Sequence, residues 1–118
     1  MANLAFDTMV QGDVTVVSVR GRVDSNTVGA LRAALNEAAS AERAWVVGDF
    51  SGVDFMSSAS LRVLLDVLKS VRSRDGDLRL AAVRPEVARI FDLAGFAGIL
   101  QMYPDVEAAV ASYGASKR

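Results

Sequence analysis

Three serines fall within four positions, Ser57-Ser58-Ala59-Ser60, directly after Asp49-Phe50-Ser51-Gly52-Val53-Asp54-Phe55-Met56. Apolar residues then recur at Leu61, Leu64, Leu65, Leu68 and Val71. The first run is strand-like and the second has helical spacing, so the serines stand where a helix begins. A helix start offers unpaired backbone N–H groups and a partial positive charge. A hydroxyl placed there is exposed, and a phosphate on it is locally tolerated. The same dianion would repel an acidic or apolar partner docked on that surface. The chemistry that suits this stretch is phosphorylation used as a binding switch.

Other chemistries find little support. The chain contains no histidine and no cysteine, which removes the commonest general base and metal ligand, thiol catalysis and disulfides. Asp24, Asp49 and Asp54 could be imagined as a carboxylate set, yet neither a lysine-bearing phosphate loop nor a nucleophile elbow accompanies them. The reading is a protein that is not an enzyme, with no catalytic residues, no metal site and no cofactor of its own. A formal net charge of −1 gives no basic face for nucleic acid. No apolar run approaches the roughly 20 residues that span a bilayer, so membrane insertion is not expected. The start Met1-Ala2-Asn3-Leu4-Ala5 does not read as a signal peptide, and a cytoplasmic protein is expected.

The elements that must hold the serines follow from periodicity. With 118 residues, 52% apolar, 23% charged and two prolines, the chain is expected to form one domain. Ala5 to Gln11 and Val14 to Arg20 are strand-like runs around Gly12-Asp13, a tight antiparallel hairpin. Gly21 breaks the second run. Asp24-Ser25-Asn26-Thr27 offers helix caps, and Val28, Leu31, Leu35 and Ala38 predict a helix to about Ala39. Trp45 to Phe50 reads as a central strand buried on both faces, with Asp49 and Asp54 ending it and shaping the turn. The second helix carries Arg62, Asp66, Lys69 and Arg72 on its polar side and ends near Arg74. Leu78 to Val83 is a strand, Pro85 starts a third helix, and Gly95 or Gly98 stops it. Ile99 to Tyr103 is a short strand, and Pro104-Asp105 starts a last helix with Val106, Ala109, Val110 and Tyr113 on one stripe. The order β-β-α-β-α-β-α-β-α predicts a single α/β domain over 1–118. Its core is expected at about 5–113, with a flexible tail over 114–118. The sheet is mixed and mostly parallel, with an N-terminal antiparallel hairpin and about four helices. Loops after parallel strands gather at one end of such a sheet, which places Arg84 and Pro85 beside the serines.

Three segments carry a family resemblance: Gly21-Arg22-Val23-Asp24, Val46 through Ser58, and Arg84 through Phe96. In this order they resemble the landmarks of STAS domains, from about Phe6 to Ser112, and most of all stand-alone bacterial anti-sigma-factor antagonists. The resemblance implies partner switching. An unphosphorylated antagonist binds an anti-sigma factor that is also a serine kinase and so releases a sigma factor. The kinase, which supplies ATP and metal, phosphorylates the antagonist, and a separate metal-dependent serine phosphatase resets it. On matching positions the acceptor is Ser58, with Ser57 as the alternative. The family's usual Asp-Ser-Ser-Gly is here Ser57-Ser58-Ala59-Ser60, and Gly48 stands in a strand slot that the family usually fills with a larger apolar residue. The combination expected is that Ser57 caps the helix and Ser58 projects outward.

Asp24 matches a family aspartate near the acceptor, where a carboxylate orients the hydroxyl or meets the kinase's nucleotide and metal; a turn or cap role explains it equally well. The expected partner surface comprises Asp24, Asn26 and Thr27 before the first helix, together with Ser57, Ser58, Ala59, Ser60 and Arg62 at the second. Arg84 and Pro85 complete it. A monomer or weak dimer is expected. The alternative function is a STAS scaffold or accessory subunit of a stress-signalling or transporter complex without a phosphorylation switch.

Overall fold

A computed structural model describes residues 4–96 and 98–114. The tail expected from 115 onward lies outside the described residues, while Gly114 is the last residue of a helix. The elements are β1 (Ala5–Gln11), β2 (Val14–Val23), α1 (Val28–Ala39), β3 (Trp45–Met56), a 3-10 turn (Ser58–Ser60), α2 (Leu61–Arg72), β4 (Asp77–Ala81), α3 (Pro85–Leu93), β5 (Gln101–Tyr103) and α4 (Val106–Gly114). This is the strand and helix order expected from the sequence.

The five strands form one sheet in the order β1-β2-β3-β4-β5. β1 is antiparallel to β2, and every later neighbour is parallel. Gly12 takes φ 64, as the first central residue of a two-residue hairpin turn of type II′ requires, a position that favours glycine. Each parallel strand is then added on the same side of its predecessor. Crossovers of one hand therefore put α1, α2 and α3 on one face of the sheet, where Leu31, Leu35, Leu64, Leu68, Val87 and Phe91 meet Val17, Val46, Phe50 and Leu80. α4 covers the lower part of the other face through Ala109 and Tyr113, against Val14, Val16 and Val47. The Tyr113 ring stacks on Trp45 at 5.4 Å, and its hydroxyl shares its one hydrogen between the Val46 and Asp77 carbonyls, 3.0 and 2.7 Å away.

Gly48 lets strands and core close together: a Cβ there would stand 3.1 Å from both Leu80 and Phe50. The absent side chain thus makes room for neighbours. Gly95 follows the third helix, whose last turn is closed by the Phe96 N–H on the Phe91 carbonyl.

Several expected boundaries need correction. Gly21 does not end the second strand, which continues to Val23. β3 does not end at Phe50 but runs twelve residues to Met56, so Asp49 and Asp54 lie within it rather than ending it. The reason is two bulges. Ser18 and Arg20 face Asp49 and Gly52, and Gly21 and Arg22 face Val53 and Phe55. Each time one extra residue enters β3, which shifts the side-chain parity. Phe50, Val53 and Met56 are consequently all fully buried at intervals of three instead of two. α2 ends at Arg72, two residues earlier than expected. β4 starts at Asp77 and stops at Ala81, because Ala82 turns to φ 57. β5 begins at Gln101.

Candidate functional site

The carboxyl ends of β2, β3 and β4 place their outgoing connections side by side. β2 leads into Asp24–Thr27, β3 into Ser57–Ser60 and β4 into Arg84–Pro85. The Ser57 N–H donates to the Val23 carbonyl at 2.9 Å, so the serine stretch is tied directly to the end of β2. The Arg84 guanidinium reaches back to the Ser51 carbonyl at 3.0 Å, fixing the third connection to β3.

Burial and pairing separate the serines. Ser58 and Ala59 are exposed, Ser57 is half-buried, and Ser60 is buried with 2% of its surface accessible. The Ser57 and Ser60 hydroxyls lie 2.6 Å apart, a mutual hydrogen bond. Ser57 has extended backbone angles and precedes the helical run, but its side chain makes no capping bond. The expected capping hydroxyl is therefore spent on Ser60. The helical run itself opens with a 3-10 turn rather than with α-helix: the Ser60 N–H bonds to the Ser57 carbonyl at 3.0 Å. Ser60, in the family's glycine slot, tucks its side chain inward and supplies the partner that holds Ser57. The outward projection expected of Ser58 is observed.

Asp24 is organised as a turn residue. One carboxylate oxygen accepts the Asn26 N–H at 2.9 Å, and the other accepts from Arg22 at 3.1 Å. The Asn26 N–H, with Arg22 adding to it, holds this carboxyl below its ordinary value of 3.8. Hydrogen bonds to the charged form favour that form. Thr27 precedes α1 without capping it through its side chain. Its hydroxyl donates to the Arg22 carbonyl at 2.7 Å and accepts the Asp24 N–H at 3.0 Å. Thr27 is buried, Asn26 exposed; of the two, only Asn26 lies at the surface. Arg62, Arg84 and Pro85 are exposed.

Asp49 and Asp54 part company. Asp49 accepts from the Ser18 hydroxyl at 3.1 Å and from the Ser51 N–H at 3.1 Å, which stabilises the first bulge. Asp54 is exposed on β3. Neither makes a carboxylate pair, and among the described residues no cluster of acids suited to a metal is present.

One part of the site escaped sequence reading. Phe55, Met56, Ser57 and Ser58 on one side, and Ile90, Leu93 and Ala94 of α3 on the other, line an open apolar groove of about 310 Å³. Leu93 is 81% exposed. Its apolar side chain lies off the buried stripe of Val87 and Phe91, and that mismatch was the available signal. Above Phe55 lies the Arg22 guanidinium, 3.9 Å from the ring centre, so the groove borders the Asp24 turn.

Comparison with known proteins places this geometry. A Bordetella bronchiseptica protein that carries the provisional name anti-sigma factor antagonist is 34% identical over 98 residues, covering 83% of this chain and 84% of that protein. The crystal structure of an anti-sigma factor antagonist from Mycobacterium paratuberculosis superposes with a TM-score of 0.82 at 26% identity, over 92% of each chain. The anti-sigma factor antagonist SpoIIAA shares the fold in its unphosphorylated form, with a TM-score of 0.77 at 24% identity over 94% of this chain and 97% of that one. Among the described residues no helix is long and apolar enough to cross a membrane. The sequence pattern of the STAS domain matches residues 5–109, and with these relatives beside it the chain belongs to the STAS domain family.

Proposed function

We propose that this protein is an anti-sigma factor antagonist switched by phosphorylation of Ser58. In the unmodified state the end of the sheet around Ser58 binds an anti-sigma factor that is also a serine kinase, and the sigma factor held by that kinase is released. The observation that carries the reading is the sorting of the hydroxyls. Ser58 is exposed at the first residue of the helical run, while Ser57 and Ser60 occupy each other. The relatives' names support the binding role, and SpoIIAA has also been solved in a phosphorylated form.

The chain serves as substrate and ligand. The Ser58 hydroxyl oxygen attacks the γ-phosphorus of the kinase's ATP, the bond to the ADP oxygen breaks, and the hydroxyl proton passes to a base on the kinase. ATP and metal come from that partner, since phosphoryl transfer needs a phosphate cradle and metal ligands. The product carries an added charge of about −2. It stands beside the exposed Leu93 and the groove under Phe55 and Ile90, so a partner packed on that apolar surface must bury or meet a dianion. Such a change weakens binding. A serine phosphatase restores the hydroxyl.

Incubation of the protein with its anti-sigma kinase and ATP, followed by phosphosite mapping, tests the proposal. Modification at Ser58 is expected, retained in Ser57→Ala and absent in Ser58→Ala, which keeps wild-type stability within about 0.5 kcal/mol as an exposed surface change. Ser58→Glu should bind the kinase more weakly than Ser58→Ala. Binding of the kinase together with complete resistance to phosphorylation would leave a scaffold or accessory role in place of the switch.

A further inference from the structure

We propose that the outer edge of β1 is a self-association surface, through which two copies of this chain pair antiparallel about a twofold axis at Thr8 and join their sheets into one. β1 is the end strand of the sheet. Its seven residues are mostly exposed, including Met9 at 56% and Val10 at 68%. Edge strands are normally protected by shortness, lysine, proline or a bulge. The opposite edge uses shortness, since β5 has three residues. β1 uses none of these devices: its sequence AFDTMVQ has no lysine or proline, and its register with β2 is unbroken from Ala5 to Gln11.

The strand is self-complementary in one register. The two-residue turn makes Gln11 and Val14 a hydrogen-bonded pair, so Gln11, Met9, Asp7 and Ala5 aim their backbone groups at β2. Phe6, Thr8 and Val10 aim theirs outward. A twofold axis perpendicular to the sheet at Thr8 sets Thr8 opposite its own copy and Phe6 opposite Val10 of the second chain. All seven residues are then paired and like faces stay together. An aromatic residue meets a β-branched one at both ends of the contact, a favourable cross-strand pair.

Charge does not oppose the pairing. Asp7 is the single charged residue of β1, and the Arg20 guanidinium of the same chain holds it at 2.9 Å. On the helical face, α1 packs over β2 and β3, leaving Phe6, Thr8 and Val10 to line an open groove of about 580 Å³ with Ala34 and Ala41, in which, among the described residues, Glu37 of α1 is the one charged lining residue. The Phe6 and Val10 side chains of a second copy extend this apolar face across the axis. β2 separates β1 from the strand that carries the serines, so the inference stands apart from the reading of Ser58.

Sedimentation velocity of the full chain over a range of concentrations should show a reversible monomer–dimer equilibrium. Val10→Lys should weaken it at least about tenfold with an unchanged circular dichroism spectrum. The chain has no cysteine, so Thr8→Cys places one thiol on the axis, where Cα atoms of a hydrogen-bonded antiparallel pair lie about 5.5 Å apart, within disulfide reach. Under mild oxidation Thr8→Cys should form a covalent dimer much faster than Lys69→Cys, a control on the exposed side of α2. A wild type that stays monomeric at every concentration overturns the proposal. So does a dimer unaffected by Val10→Lys, or a Thr8→Cys that cross-links no faster than the control.

Discussion

Ser57 and Ser58 are the same hydroxyl one residue apart, and their surroundings give them different work. Ser60 is the residue that separates them, because its buried oxygen, 2.6 Å from that of Ser57, takes up the Ser57 hydroxyl. Ser60→Ala should cost about 1 kcal/mol, the worth of a buried hydrogen bond. Ser57→Ala should cost a similar amount, and the double variant less than the sum, since one interaction is lost in each case; urea denaturation of the three proteins measures this. Asp24 makes a prediction in pH. Its carboxyl is depressed in the folded protein below 3.8, first by the Asn26 N–H. Its stabilisation is therefore fully present above that value and lost as pH falls through the folded value. Asp24→Asn should be less stable than wild type at neutral pH, and the gap should close in denaturation curves taken below pH 3.8.

At the scale of elements, β3 carries the site because it is long, bulged and central. Its first half is buried on both faces, while its second half rises beyond α4 and turns Asp54 to solvent. The bulges at Asp49 and Val53 reset which residues face the core and deliver Met56 inward and Ser57 to the sheet end. α4 holds the other face through Tyr113, whose hydroxyl ties β3 and β4 at Val46 and Asp77. Tyr113→Phe should cost about 1–2 kcal/mol by removing those bonds. Burial raises the Tyr113 phenol far above its ordinary 10.0, so the stability it contributes is complete below pH 10 and declines as pH rises beyond it. The phenylalanine variant should lack that alkaline loss, which chemical denaturation at neutral and alkaline pH resolves.

For the whole molecule, the arrangement of layers decides which surfaces remain for partners. Three helices cover one face of the sheet and α4 part of the other. The carboxyl end is left with the serines, the Asp24 turn and the groove along α3. Among the described residues Leu93 is the most exposed of the large apolar side chains, and in the proposed function it lies on the surface that meets the kinase. Leu93→Asp should leave stability within about 0.5 kcal/mol and weaken kinase binding by about tenfold or more, as loss of an interface anchor does. Calorimetry of the complex, with thermal melting of the free protein as control, checks both parts.

Much of this protein was legible in its residues. The alternation of strand and helix, the turn at Asp24, the Pro85 start and the apolar stripe of α4 are local properties, set by side-chain period and backbone chemistry. The length of β3 was not legible, because two inserted residues break the period of two and place Phe50, Val53 and Met56 at a spacing that mimics a helix. Nor was the division of labour among the serines, which depends on Ser60 turning inward against Ser57. The Leu93 groove depends on α3 lying beside the end of β3. The serines as candidates came from the chain itself, and Ser58 among them from the family resemblance; what the tertiary structure decided was which serines are buried and paired, since burial and hydrogen bonding are properties of neighbours brought together by the fold.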